Sequence, residues 1–208
     1  MNHISKKNYF LGFLFLLSAP LCAQPNTVVA TINTGITPAG IAITHDNHKA
    51  YVANNNNYGI ADQDSVTVLD LKNNTVMTTI HDDSFNQPYT VTLGNKRKNA
   101  YVTNSNSTTI TIIDTKTNEV TGVIDGFDGP SGMVITPNGK FAYVNNYGGP
   151  EGVGSGNGTI VRIVDLKTNT IIGNPITVGQ APAALAISPN GKFVYVINYV
   201  NGNPDTGT

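Results

Sequence analysis

Tyr51-Val52-Ala53-Asn54 is the first copy of a tetrapeptide that returns three more times along this chain. The later copies are Tyr101-Val102-Thr103-Asn104, Tyr143-Val144-Asn145-Asn146 and Tyr195-Val196-Ile197-Asn198, so successive copies begin 50, 42 and 52 residues apart. Repetition at this spacing is typical of an architecture built from stacked copies of one supersecondary unit. The repeat therefore predicts a scaffold, while it leaves the ligand of that scaffold open.

Each repeat has the same order of features around its tetrapeptide. A proline precedes a short apolar strand, as in Pro130 to Ile135, and a turn such as Thr136-Pro137-Asn138-Gly139-Lys140 leads into the tetrapeptide. Proline at a strand edge and Asn-Gly in a hairpin turn are both common placements. An alternating strand follows, which ends in Asp-x-Lys-x-Asn at Asp70, Asp114 and Asp165, and an outer strand completes the unit. Four short strands per unit predict an all-β fold made of β-propeller blades, each a four-stranded antiparallel sheet.

The repeat is similar to a known family. Tyr-Val-Thr-Asn at Tyr101, with the Pro-Asn-Gly-Lys turn and the Val-x-Val-x-Asp strand, resembles the YVTN-family β-propeller repeat of exported prokaryotic proteins, including YncE-like proteins. The resemblance covers nearly all of the chain after residue 23. It implies a toroid of about seven blades, closed by pairing of the N-terminal strand with the last blade.

The chain holds fewer units than this resemblance implies. An opening outer strand at Val28 to Ile32, three full units and two strands of a fourth predict about three and a half blades, as an open arc or a partial ring. The repeated tyrosines Tyr101, Tyr143 and Tyr195 are expected to be buried between or within blades. Because open strand edges promote association, we expect a truncated propeller domain at residues 24–208 that self-associates through its open blade edges.

The first 23 residues have the features of a secretory signal peptide. Lys6 and Lys7 precede the apolar run Tyr9 to Leu17, and small residues follow it up to Ala23. The run is shorter than the roughly 20 apolar residues of a membrane-spanning helix. We expect cleavage after Ala23, a periplasmic or secreted location in a bacterium, and no transmembrane span once the signal peptide is removed.

Composition argues against several classes of partner. Cleavage would remove Cys22, the single cysteine, so stability would rest on packing without a disulfide. Without Lys6 and Lys7 the chain keeps ten basic and 13 acidic residues, a formal charge of −3, which disfavours nucleic acid as a partner. Binding of nucleic acid through the basic turn Lys96-Arg97-Lys98 stays open as a second alternative.

Long loops follow the second strands of blades one and three, and the segment after the second strand of blade four begins in the same way. In a propeller of this connectivity these loops share a face with the loops before the first strands, and insertions on one face of a repeat array usually carry binding. Asn amides donate and accept hydrogen bonds, and tyrosine rings add flat apolar faces, although Asn and Gly also serve turns. The candidate ligand-binding residues on this face are Asn55, Tyr58, Asp62, Asp64, Asn104, Asn146, Tyr147, Glu151, Tyr199 and Asp205.

These observations predict an exported, non-enzymatic module that binds an unknown protein, peptide or glycan. No catalytic residue, cofactor or metal is predicted. Asp62 and Asp64 lack the spacing of a calcium loop, and His45 and His48 flank a turn on the face opposite the long loops. His81 begins an acidic segment on the long-loop face. The alternative is a fragment of a propeller enzyme of the quinoprotein or lactonase kind whose site is incomplete in this chain.

Overall fold

The computed structural model describes residues 27–56, 63–94, 98–148 and 156–199. Contacts divide the chain into two units, residues 1–31 and 32–208, and every strand belongs to the second. The strands are β1 (Pro38–Ile43), β2 (Lys49–Asn54), β3 (Ser65–Asp70), β4 (Thr75–Ile80), β5 (Pro88–Leu93), β6 (Asn99–Asn104), β7 (Ile110–Asp114), β8 (Glu119–Ile124), β9 (Pro130–Ile135), β10 (Phe141–Asn146), β11 (Ile160–Asp165), β12 (Thr170–Thr177), β13 (Pro182–Ile187) and β14 (Val194–Asn198). The described ranges contain no helix long and apolar enough to cross a membrane.

The strands form antiparallel sheets in which spatial order follows chain order. Blade one is β1-β2-β3-β4, blade two is β5-β6-β7-β8, blade three is β9-β10-β11-β12, and blade four has the two strands β13 and β14. Within each blade a tetrapeptide strand lies next to the innermost strand. This arrangement confirms the predicted all-β fold and the partial propeller of about three and a half blades.

The innermost strands of successive blades lie side by side. Strand β1 contacts β5, β5 contacts β9, and β9 contacts β13. A Cβ added at Gly40 of β1 would lie 2.4 Å from the carbonyl oxygen of Tyr89 in β5, so a glycine is needed at this crossing. Between β5 and β9, the hydroxyl of Thr92 donates to the carbonyl oxygen of Met133 at 3.0 Å.

Apolar side chains are buried between the blades. The first cluster joins Tyr51, Val66 and Val68 of blade one to Val91 and Val102 of blade two. The second cluster makes the equivalent junction between blades two and three. Side chains alternate between the two faces of a strand. In β6, Val102 therefore packs towards blade one and Tyr101 towards blade three. In β2, Tyr51 packs towards blade two, and Val52 lies on the opposite face. This two-sided burial explains why these strands are among the least exposed of the described strands.

Two expectations from the sequence differ from the structure. Tyr101 is 3% exposed, but Tyr143 is only half-buried and Tyr195 is 64% exposed, so the prediction that Tyr195 is buried is wrong. Tyr51 and Tyr101 are covered by the blade that follows each of them. Tyr195 is exposed because no blade packs on β14 within the described ranges. Residues 28–32 form no strand, so the predicted opening outer strand at Val28 to Ile32 is wrong. The predicted signal peptide lies outside the described residues.

Candidate functional site

One end of the blades carries the connections between second and third strands together with the segments before the first strands. Backbone hydrogen bonds tie them together, from Asn55 N to Thr37 O at 3.0 Å, Tyr147 N to Gly129 O at 3.0 Å, and Tyr199 N to Ala181 O at 2.8 Å. We call this end the loop-rich face, which comprises the described residues 33–37, 55–56, 63–64, 81–87, 105–109, 125–129, 147–148, 156–159, 178–181 and 199. The opposite end, the turn face, comprises the described residues of the turns at 44–49, 71–74, 94–98, 115–119, 136–140, 166–169 and 188–193.

A left-handed residue precedes the proline of every innermost strand. Thr37, Gln87 and Ala181 have φ values of 45°, 50° and 51°, and Gly129 has 56° in blade three. This conformation costs roughly 1–2 kcal/mol for a residue with a Cβ. It aims each carbonyl at the backbone N–H that follows the tetrapeptide, and so holds the loop-rich face in register with the strands below.

The tetrapeptide asparagines of blades one and two make hydrogen bonds within their own blades. Asn54 Nδ2 donates to Ser65 Oγ at 3.1 Å and Thr67 Oγ1 at 2.9 Å. Asn104 Nδ2 donates to the hydroxyls of Thr109 and Thr111, both at 3.0 Å, and its Oδ1 accepts from Asn86 N at 3.4 Å. Asn104, a predicted ligand-binding residue, is therefore fully buried and uses its amide to hold the loop before β5.

Asn146, the equivalent residue of blade three, has a different environment. Its Oδ1 accepts from Asp128 N at 3.2 Å, as the equivalent oxygens do in blades one and two, but its buried Nδ2 has no hydrogen-bond partner. The register shows why, because Ile160 and Arg162 occupy the positions of the two hydroxyl residues in blades one and two. Arg162 Nε is also buried without a partner. Blade three thus buries two unsatisfied donors where blades one and two pair a donor with acceptors.

Asn55 and Asp64 connect blade one to the segment before β5. Asn55 is buried, and its Nδ2 donates to the carbonyl oxygens of Gln87 at 3.2 Å and Pro88 at 3.4 Å. Asp64 accepts from Gln87 N at 3.0 Å through Oδ2, while its buried Oδ1 has no partner. Burial raises the pKa of the Asp64 carboxyl, and the hydrogen bond from Gln87 opposes this shift.

Besides the three buried asparagines, the predicted site residues fall into three groups. Asp64 lines an open depression of about 610 Å³ with His81, Asp82, Asp83 and Phe85. Tyr147 is half-buried and Tyr199 is exposed at the loop-rich face. Predictions for Tyr58, Asp62, Glu151 and Asp205, and for Lys96 and Arg97 of the basic turn, lie outside the described residues. No group of three or more metal-ligating side chains occurs in the part of the chain that the structure describes.

Sequence reasoning placed the acidic segment that begins at His81 on this face but missed the equivalent carboxylates, Asp125 and Asp128, before the next innermost strand. Asp82 and Asp83 lie a few residues before Pro88, and Asp125 and Asp128 lie at the same place before Pro130. The Thr108 hydroxyl, donating at 2.6 Å, and the Gly126 N–H lower the pKa of Asp125. The spacing of these acids from the prolines was a usable signal. Arg162 was missed as well. An alignment of the third strands on their final aspartates places it at the position equivalent to Thr67 and Thr111.

Two curated relatives, both from Mycobacterium tuberculosis, are similar to parts of this chain. The seven-bladed beta-propeller protein Rv1057 is 31% identical over 146 residues, which cover 69% of this chain and 33% of that protein. The PE-PGRS family protein PE_PGRS18 is 48% identical over 60 residues, which cover 29% of this chain and 13% of that protein. The chain therefore spans about a third or less of the length of these relatives. No protein-family model matches it.

Two solved structures resemble the fold. Hydrazine synthase of Kuenenia stuttgartiensis gives a TM-score of 0.69 at 23% identity, covering 86% of this chain and 46% of that one. A functionally unknown protein from Desulfotomaculum acetoxidans gives 0.61 at 19% identity, covering 82% and 53%. At such identity these two show a likeness of fold alone. The four-stranded blades, the adjacent innermost strands and the seven-bladed relative together make this chain a β-propeller protein.

Proposed function

We propose that this chain is an exported binding module built from YVTN-type repeats, and that its loop-rich face binds a positively charged segment of a partner protein or peptide. The observation that carries the proposal is the separation of charge between the two ends of the blades. The sequence left open whether the ligand is a protein, a peptide or a glycan. The proposal selects a protein segment or peptide with positive charge.

Charge is distributed unequally between the two faces. Among the described residues of the loop-rich face, the carboxylates are Asp64, Asp82, Asp83, Asp125 and Asp128, with no lysine or arginine beside them. The described lysines all lie on the turn face, as Lys49, Lys72, Lys98, Lys116, Lys140, Lys167 and Lys192. The turn face also holds carboxylates, such as Asp46 and Glu119, so its two signs are mixed. Among the residues that the structure describes, only the loop-rich face presents a single sign of charge.

A single sign of charge favours a ligand of the opposite sign. Carboxylates on one face produce a summed potential that steers cations towards it and rejects anions. Asp83 and Asp128 are exposed, so the charge of each meets solvent and partner directly. Each ion pair between an exposed carboxylate and a cation of the partner contributes on the order of 0.2–1 kcal/mol to binding. A useful affinity therefore requires several carboxylates together. Exposed Tyr199 adds an apolar ring at the same face.

Export is the second part of the proposal. The charged start at Lys6 and Lys7 and the apolar run that follows support a signal peptide at residues 1–23 and a propeller domain at residues 24–208. Expression of the whole chain in a bacterium, followed by fractionation and mass determination, tests this. Protein that begins near Gln24 in the periplasm or medium agrees with export, and uncleaved protein in the cytosol contradicts it.

Binding is tested with peptides of opposite charge and equal length. Fluorescence anisotropy of labelled oligo-lysine and oligo-glutamate should show binding of the lysine peptide alone, weakening steeply with salt. The double variant Asp83→Asn and Asp128→Asn should weaken binding by about twofold to tenfold. Glu119→Gln is the matched control, because it removes a carboxylate from the turn face. Equal binding of both peptides, or equal effects of the two sets of substitutions, would contradict the proposal.

A further inference from the structure

The same pair of side chains joins successive complete blades. Tyr51 Oη, at the start of the first tetrapeptide, donates to Asn118 Oδ1 of blade two at 2.7 Å. Tyr101 Oη makes the equivalent contact with Asn169 Oδ1 of blade three at 3.4 Å. Both asparagines end an Asp-x-Lys-x-Asn turn and have left-handed φ values of 61° and 55°. A tyrosine of one blade and a turn asparagine of the next therefore form a repeated blade-to-blade contact.

Blade four presents the tyrosine half of this contact to solvent. Tyr195 and Ile197 are each 64% exposed, whereas Tyr51 and Ala53 at the equivalent positions of blade one are fully buried. Phe193 lies on the same side of β14 and is also exposed. We call Phe193, Tyr195 and Ile197, with Ala184 and Ala186 of β13 that lie opposite them, the blade-four face. Exposed apolar side chains grouped on one face commonly mark an interaction surface.

Blade one presents the asparagine half of this blade-to-blade contact. Ile41 and Ile43 are 62% and 54% exposed, while Val91 and Met133, the counterparts of Ile41 in blades two and three, are 5% exposed against the preceding blade. Asn74 ends the Asp-x-Lys-x-Asn turn of blade one with φ 54°, in the same conformation as Asn118 and Asn169. We call Ile41, Ile43 and Asn74 the blade-one face.

We propose that the blade-four face of one copy of this chain docks onto the blade-one face of a second copy, with Tyr195 Oη donating to Asn74 Oδ1 of that copy. A second copy is the occupant because the chain carries both halves of a contact that it already uses between its own blades. The docking continues an existing interface and buries the exposed Ile41, Ile43 and Ile197. It is independent of the loop-rich face.

The contact is heterologous, because two different surfaces meet. Repetition of such a contact either closes a ring or extends a chain of copies. In both cases each copy uses its blade-four face and its blade-one face once. This property allows a test in which one face is damaged at a time, in the complete chain.

The test is sedimentation and light scattering of the full chain, together with Ile197→Asp and Ile41→Asp. Wild-type protein should associate as its concentration rises, and each variant alone should stay monomeric, because each lacks one face. An equimolar mixture of the two variants should form a one-to-one dimer through the single pair of unaltered faces. Both substitutions are at exposed positions, and unchanged melting of the monomers would show that folding is preserved.

Substitutions of the polar pair test the docking geometry. Tyr195→Phe or Asn74→Gly should weaken association by about fivefold, the equivalent of one ordinary hydrogen bond. Glycine suits the left-handed φ at position 74, so the turn is retained. Tyr89→Phe, at an exposed position on β5, is the control and should leave association unchanged. A monomeric wild type, association that survives in Ile197→Asp, or failure of the mixed variants to pair would overturn the proposal.

Discussion

Replacing Arg162 with threonine should stabilise the fold. In blades one and two, Thr67 and Thr111 accept a hydrogen bond from Nδ2 of the tetrapeptide asparagine at 2.9 and 3.0 Å. Arg162 stands at this position in blade three, and both its Nε and Asn146 Nδ2 are buried without partners. Arg162→Thr removes one unsatisfied donor and supplies an acceptor for the other.

The magnitude follows from two opposing contributions. A buried donor without a partner costs roughly 1–3 kcal/mol, and the substitution relieves two of them. The arginine stem is lost in exchange, at about 0.8 kcal/mol for each fully buried methylene, and less here because Arg162 is only half-buried. Threonine also suits a strand. We expect a net gain of about 1–2 kcal/mol, or a rise in melting temperature of about 2–4 °C for each kcal/mol.

The assay is urea unfolding of the wild type, Arg162→Thr and Arg162→Val at one fixed protein concentration. Valine removes the same unsatisfied Nε donor but offers no acceptor, so the difference between the two variants isolates the Asn146 hydrogen bond, at about 1 kcal/mol. Thr67→Val in blade one should cost a similar amount, because it recreates the blade-three arrangement. If Arg162→Thr is no more stable than Arg162→Val, the assignment of a missing acceptor is refuted.

Three further predictions concern the blades and their loops. Tyr51→Phe should cost about 1–2 kcal/mol in thermal or urea unfolding, since Tyr51 Oη is buried and bonded to Asn118, and a loss below about 0.3 kcal/mol would contradict that contact. Burial, with the nearby Asp114 and Asp46, raises the pKa of Tyr51 to about 12, so the folded state keeps the neutral phenol that the unfolded chain loses near pH 10. This stability is present below pH 10 and is lost as the pH rises to 12, and Tyr51→Phe should flatten the fall measured across that window. Asp64→Asn should stabilise the protein at neutral pH and not at acid pH. Burial raises the pKa of the Asp64 carboxyl, so the stability of the wild type falls as the pH rises through that pKa. An equal gain at both pH values would show that ionisation of Asp64 is not the cause. Thr37→Gly should gain about 1 kcal/mol in the same unfolding assay, since Thr37 has φ 45° where blade three has Gly129, whereas Gly129→Ala should lose a comparable amount.

The sequence alone determined the blade pattern. Prolines before apolar strands, Asn-Gly turns and alternating third strands are local signals, because strand periodicity and turn geometry depend on neighbours in the chain. The innermost strand Pro130–Ile135 coincides with the predicted stretch, and the third strands end at the predicted aspartates, Asp70, Asp114 and Asp165. The repeat also placed the long loops on one face, since connectivity decides which end of a blade each loop occupies.

Only the tertiary structure decided which copies of a repeated residue are equivalent. Asn104 and Asn146 occupy the same motif position, yet one amide is satisfied and the other is not, because the acceptors come from a different strand. Tyr51 and Tyr195 likewise share a motif, and their burial depends on whether another blade covers them. The sequence had already placed Asp64 and the acidic segment after His81 on the long-loop face, whereas the fold added Asp125 and Asp128 to that group. Burial and hydrogen bonding are properties of pairs of segments, and a single segment of sequence does not contain its partner.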